Sequence, residues 1–411
     1  MAASAANDKF VDGDMSAATA AGRVTGRSLT VQRLSLTDFR CYTYARVETD
    51  ARPVVLTGPN GAGKTNILEA LSYLVPGRGL RGVRLSEIGR SEPGADSAVP
   101  RGWAVAAKLL AGEDPLDVGT GLELDENDSQ RERRVIKVDS NPVKNQTELG
   151  RRTSALWLTP QMDRLFQEGA SGRRKFVDRL IYGLDPEHAG PVAAYEHSLR
   201  SRNKVLKDAQ GGGALDAAWL DSIEDSMARY GVAVALRRLD AVARLHEISE
   251  ADEGPFPGAK LALAGEMEEL VAGIPALEAE DGFRRRLRDA RGKDQSLGAT
   301  SIGPHRSDLE VVHSAGGMPA ELCSTGEQKA LLVRIVLAAA VLEARERGRM
   351  PLLLLDEIGA HLDAGRRAAL FDILCAMGAQ AWMSGTDDQI FDALGDRGQF
   401  FHVKDARIEK R

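Results

Sequence analysis

Apolar and polar positions along the chain fall into blocks of different period. "SLTVQRLSLTDFR", residues 28–40, alternates apolar and polar side chains and predicts a strand of the edge type. "GWAVAAKLL" predicts another strand, and the acidic, Gly-rich residues 111–130 predict a loop or hairpin. From Pro186 to Ile248 the period becomes helical. Leu220, Ile223, Met227, Tyr230 and Val234 step by 3, 4, 3, 4 and form a seam. Val192, Tyr195, Leu199 and Leu206 supply a facing stripe, with Gly211-Gly212-Gly213 reversing the chain between them. The pattern reads equally as a short antiparallel helical hairpin or as ordinary core packing. After Gly298, strands and helices alternate again: "LEVVHS", a helix from Glu327, "MPLLLLDE", a helix near Arg366 to Met377, and "QAWMSGT".

One junction of these blocks carries chemistry. Pro53-Val54-Val55-Leu56 predicts a buried strand and Asn66-Ile67-Leu68-Glu69-Ala70-Leu71 opens a helix. Between them stands Gly58-Pro59-Asn60-Gly61-Ala62-Gly63-Lys64-Thr65, a phosphate-binding loop pattern. Its glycines allow successive N–H groups to converge on one concavity, and the helix N-terminus that follows favours anions. Lys64 is expected at the outer phosphates of a nucleoside triphosphate, and the Thr65 hydroxyl at Mg²⁺. The bland alternative, a Gly-rich turn with no ligand, explains neither Lys64 nor Thr65.

"PLLLLDEIGAHLD" supplies a second half. Leu352 to Leu355 predict a strand buried on both faces, of the parallel-sheet kind. Asp356 and Glu357 follow at its C-terminal end, where open α/β sheets bind ligands. Asp356 fits the Walker B acid that holds Mg²⁺, and Glu357 the base that orients the attacking water. Lys64 and Asp356 are 292 positions apart (356 − 64), so a large helical insertion, from about Ser171 to Arg291, must interrupt the sheet. Before that strand, Ser324-Thr325-Gly326-Glu327-Gln328 opens a long apolar helix. Ser324 and Glu327 make a capping box. The same residues match the ABC signature Ser-x-Gly-x-Gln, an anion site that faces the γ-phosphate of a second subunit in a head-to-tail dimer. Asp363 then falls at the D-loop position.

Composition narrows the setting. The 43% apolar content suffices for real cores in two or three domains. Cys41, Cys323 and Cys375 are far apart and lack metal-ligand spacing, which predicts a reducing, cytoplasmic compartment. No stretch approaches the ~18 apolar residues of a membrane helix, and residues 1–28 read as a disordered tail. Net charge is −6, yet Ser171 to Lys207 holds eight Lys/Arg against four acids, a local +4.

Together these motifs resemble the RecF family, the ABC-type, SMC-like ATPases of bacterial DNA repair. "LSLTDFRCY", "LTGPNGAGKTNILEALSYL" with "GRGLRG", "GRRKFVDRL", "TSIGPHRSDLE", "STGEQKALL" and "LLLLDEIGAHLD" all carry the likeness, which runs from about Leu29 to the C-terminus. The resemblance implies an α/β fold: an ABC-type P-loop ATPase head, a mixed sheet with flanking helices, and an inserted helical, coiled-coil-like second lobe. The expected units are head residues 29–170, lobe residues 171–297 and head residues 298–411. It implies ATP and Mg²⁺ as cofactors and an ATP-dependent homodimer, with each P-loop facing the partner's Ser324 and Gly326. It further implies single-stranded and gapped duplex DNA as ligand, RecO and RecR as partners, and links to replication and the SOS response. Gln161 in "LWLTPQMDRLF" is the candidate for the Q-loop and Mg²⁺. Thr386 stands where other ABC proteins carry a switch histidine, which implies slow hydrolysis. Arg40 is either a nucleotide contact or a surface arginine. Arg78, Arg81, Arg84, Arg173, Arg174 and Lys175 are candidate DNA phosphate contacts. Two rivals remain: an ATPase subunit of another machine, such as a transporter or SMC complex, and an ATP-binding scaffold without turnover.

Overall fold

The computed structural model describes residues 27–90, 102–124, 132–143, 145–210, 216–251 and 254–411. Two sheets form the head. The first holds, in order, strands Arg407–Lys410, Gln399–Lys404, Val54–Thr57, Ala381–Gly385, Leu352–Leu355 and Ala155–Leu158. The last five run parallel. Leu352 to Leu355 are buried throughout, as a strand covered on both faces requires.

The second sheet is antiparallel and centres on Arg27–Phe39. The edge-strand expectation fails here. Tyr42–Glu48 pairs one side of this strand and Ala104–Ala111 the other. Its alternation reflects one buried face rather than an open edge, and a register shift at Val31/Arg33 marks the break in the pattern. Residues 111–130 do contain a hairpin, but Asp114–Leu124 is a full strand and residues 125–131 lie outside the described set. Arg27 and Ser28 already pair with Arg349 and Met350, so the first strand starts two residues inside the expected tail. Residues 1–26 lie outside the described residues.

The helices Ala189–Asp208 and Ala217–Ser249 pack along each other. Arg202 pairs with Glu224, and a side chain at Gly231 would strike Tyr195. Both pairs sum to 426, the constant sum of an antiparallel pair. The reversing glycines 211–213 fall outside the described residues. The seam is not confined to two helices. Ile223, Met227 and Ala228 share a separate core with Met267, Val271, Ala279, Phe283 and Leu287 from two further helices, Glu266–Val271 and Ala276–Asp289. Strands Ala259–Ala264 and Asp308–His313 pair with each other across the expected boundary at 297/298.

Half of the local positive charge turns inward. Of its eight basic residues, Arg202 is fully buried between Glu224 (2.9 Å) and Asp294 (2.6 Å). Arg179 lies over the Trp157 ring, Arg173 grips Asp308 at 2.7 Å, and Arg174 donates to the Ser307 carbonyl. Only Lys175, Arg200, Lys204 and Lys207 face outward. Among the described residues no helix is long and apolar enough to cross a membrane.

Candidate nucleotide site

The phosphate-binding loop leaves strand Val54–Thr57 between Ala381–Gly385 and Gln399–Lys404 and enters helix Lys64–Ser72. Two glycines show why the loop takes this sequence. A side chain on Gly58 would lie 2.0 Å from the Val403 carbonyl oxygen, so only glycine lets the loop leave the sheet there. Gly61 has φ +78° and faces open space, which leaves the concavity clear. Lys64 is 4% exposed; its Nζ donates to the carbonyls of Gly58 (2.7 Å) and Pro59 (3.0 Å) and lies 4.0 Å from Glu357 Oε1. Burial lowers the Lys64 pKa, and Glu357 and Asp356 oppose that shift.

Asp356 ends strand Leu352–Leu355 and is itself buried. The Thr65 hydroxyl donates to both its carboxylate oxygens, at 3.0 and 3.1 Å. Thus residues 291 positions apart meet (356 − 65), because their strands are separated only by Ala381–Gly385. Glu357 has φ +49°, a left-handed conformation that costs a non-glycine residue on the order of 1–3 kcal/mol. In a continuing strand, successive side chains would point to opposite faces. The left-handed turn instead brings Asp356 to Thr65 and Glu357 towards Lys64, on the same loop.

Sequence reasoning missed Ser384, which belongs to this cluster. Its hydroxyl donates to Asp356 Oδ1 at 2.6 Å and accepts from the Glu357 backbone N–H at 2.9 Å. The signal was present: Ser384 is the one polar residue in the buried run Ala381-Trp382-Met383-Ser384-Gly385. Glu69 was also missed. It is fully buried on the loop's helix and holds Arg40 through two bonds, at 2.9 and 2.5 Å, and Arg81 at 3.0 Å. Arg40 is therefore tied to the helix behind the loop rather than lying on the surface. Asn66 links to Arg81 and to Cys41 Sγ, and the Tyr42 hydroxyl donates to the Gly63 carbonyl. Gln161 is exposed in the turn Pro160–Arg164, after the strand that pairs with Leu352–Leu355, and bonds neither Thr65 nor Asp356. Thr386 is exposed immediately beyond Ala381–Gly385.

The signature segment lies elsewhere on the same head. Ser324 caps helix Thr325–Arg347, with the capping box closed: the Glu327 carboxylate accepts from the Ser324 N–H (2.9 Å) and hydroxyl (2.8 Å). These bonds lower the Glu327 pKa. A side chain on Gly326 would touch the His361 carbonyl oxygen at 3.6 Å, so this helix start abuts the segment leading to Asp363. Asp363 is exposed and caps helix Ala364–Ala376 by accepting from the Arg366 N–H. Among the described residues, no hydrogen bond joins Lys64, Thr65 or Asn66 to the signature segment.

The family model for the RecF/RecN/SMC N terminal domain matches residues 30–405. The DNA replication and repair protein RecF of Allorhizobium ampelinum is 47% identical over 381 residues, covering 92% of this chain and 98% of the relative. The chain belongs to the RecF family. The RecF of Rhizobium rhizogenes is 46% identical with the same coverage, and that of Rhizobium meliloti 43% identical over 378 residues, covering 92% of this chain and 97% of the relative. The solved recombination mediator protein RecF with ATP, of the RecFOR pathway, superposes with a TM-score of 0.79 at 22% identity and covers 94% of this chain and 99% of its own. The two chains share the ABC-type head of the RecF fold.

Proposed function

We propose that this chain is an ATP-dependent DNA clamp of recombinational repair. One observation carries the reading: Lys64, Thr65, Asp356 and Glu357 converge on one loop concavity from opposite ends of the chain. The curated RecF relatives are DNA replication and repair proteins, and solved RecF chains hold ATP, which supports the same assignment.

ATP fits the loop. Gly61 leaves the cradle open, and Lys64 and Thr65 begin a helix whose N-terminus favours an anion. Mg²⁺ fits the Thr65 hydroxyl and the Asp356 carboxylate, an all-oxygen pair of the kind this hard cation takes. Among the described residues no group of three or more His, Cys, Asp or Glu is placed to hold a metal, so phosphate oxygens and water would complete that shell. When bound, Mg²⁺ neutralises charge on the phosphate oxygens. Gln161 is the proposed additional ligand. Glu357 accepts a proton from, or orients, the attacking water. Lys64 exchanges its loop carbonyls for phosphate oxygens. Ser324, exposed at the start of the signature helix, and the half-buried Gly326 close over the triphosphate of a second copy, with Asp363 beside them. Closure of the homodimer holds DNA at a gap or single-strand/double-strand junction, and slow hydrolysis, without a histidine at Thr386, reopens it. RecO and RecR act with this clamp in recombinase loading. The head then comprises residues 27–170 and 298–411, and the helical lobe residues 171–297, with the strand pair Ala259–Ala264 and Asp308–His313 joining the two. The exposed Arg78, Arg84 and Lys175 are the remaining candidates for DNA phosphates.

The test is ATP hydrolysis by wild type and Glu357→Gln, alone and with single-stranded, gapped and duplex DNA. The variant should bind ATP normally and hydrolyse about 10²-fold more slowly or worse, since a positioned base contributes 10²–10⁴-fold. Turnover at the wild-type rate in Glu357→Gln removes the base and with it the reading.

A further inference from the structure

We infer that Ser384 is a positioning residue for hydrolysis, holding Asp356 and Glu357 in register through one hydroxyl; this rests on the proposed ATPase reading of the site. Its donor and acceptor capacities serve two successive residues. The proton goes to Asp356 Oδ1, and a lone pair receives the Glu357 N–H. A hydroxyl supplies both capacities from one atom, and Ser384 offers it from a fully buried strand position.

The arrangement answers a geometric problem. Two adjacent carboxylates must reach the same loop, and strand geometry sends neighbours to opposite faces. The left-handed Glu357 solves this at a cost in backbone strain, and a strained residue persists only where its surroundings fix it. Ser384 ties the peptide nitrogen immediately before that turn. The Ala360 N–H, donated to the Glu357 carbonyl at 3.0 Å, ties the other side. Ser384 sits on the strand between the loop strand and the Asp356 strand, so it is braced from both sides. Asp356 meanwhile accepts hydrogen bonds from the Thr65 and Ser384 hydroxyls together, which orients its carboxylate. The Ser384 hydroxyl bonds Asp356 and Glu357, so it acts through these two neighbours.

Ser384→Ala removes one oxygen and leaves the strand otherwise intact. In the full chain it should hydrolyse ATP ~10–100-fold more slowly, the usual effect of losing an outer partner of a metal-holding carboxylate. Mg²⁺-free ATP affinity and melting temperature should stay near wild type, while the Mg²⁺ concentration for half-maximal activity rises. Ser384→Cys, with a weak donor of similar size, should fall between. In a Glu357→Gln background, Ser384→Ala should add almost nothing, because the two act as one unit. Hydrolysis by Ser384→Ala within twofold of wild type at an unchanged Mg²⁺ requirement overturns the inference, provided Glu357→Gln is stalled. A loss that tracks a lowered melting temperature and lost Mg²⁺-free ATP binding assigns Ser384 to the fold alone and overturns it too. If Glu357→Gln turns over normally, the ATPase reading fails first.

Discussion

Lys64 illustrates how the site is built from single residues. Its ammonium is buried, which lowers its pKa, and it is kept charged by two loop carbonyls and the nearby Glu357. A triphosphate offers that ammonium better partners than neutral carbonyls, because charge-assisted hydrogen bonds are about twice as strong. Lys64→Ala should therefore weaken ATP binding by at least ~10²-fold with little change in melting temperature, measured by titration of a fluorescent ATP analogue; an unchanged affinity would sink the loop assignment. The residues legible in the sequence were those with a local rule behind them. Gly58 through Thr65 follow a spacing, and Asp356 and Glu357 close an apolar run. Ser384 and Glu69 were not read, because their roles depend on partners 28 residues away, or on arginines brought from two other segments.

Secondary-structure elements set what one subunit can do. Helix Thr325–Arg347 presents the exposed Ser324 and the half-buried Gly326 at its start, beside the His361 carbonyl. A helix N-terminus favours an anion, here beside a closed capping box, and the residue best able to spoil it is a large side chain at the cap. Ser324→Arg should leave ATP binding by the monomer within about twofold. It should abolish ATP-induced dimerisation, read by light scattering with the Glu357→Gln background as positive control; a persisting dimer would refute the trans-acting signature. The capping box and the apolar helix were legible because they are contiguous. The helical pair was legible from its 3–4 spacing, while its third and fourth packing partners were not, since Met267 and Phe283 lie on helices with their own patterns. The basic stretch misled for a related reason. Spacing does not tell which arginines turn inward, and Arg202 finds Glu224 and Asp294 only after the helices pack.

At the scale of the whole molecule, one buried acid couples stability to pH. Glu343 lies on the signature helix, fully enclosed next to Gly183, and burial pushes its pKa from the usual 4.5 up to about 7, against the pull of Arg347 at 3.7 Å and of Arg349. The folded state thus holds a proton that the unfolded chain releases between pH 4.5 and 7. Its contribution is full below that window and is lost as pH rises through it, by at most about 3 kcal/mol. Glu343→Gln should flatten the fall in urea-unfolding stability between pH 5.5 and 8; an unchanged slope would assign it to other groups.

The order of strands in the parallel sheet has a consequence for how the chain is made. Val54–Thr57, which carries the loop, is flanked on both sides by strands from the final 31 residues, Ala381–Gly385 and Gln399–Lys404. The first of those neighbours begins 327 positions later (381 − 54). At roughly 5–20 residues per second on a ribosome, the loop strand waits roughly 15–65 s for a partner. During that interval its apolar run stands open to the wrong neighbours, so chaperone dependence should concentrate in the nascent chain before residues 381–404 are made.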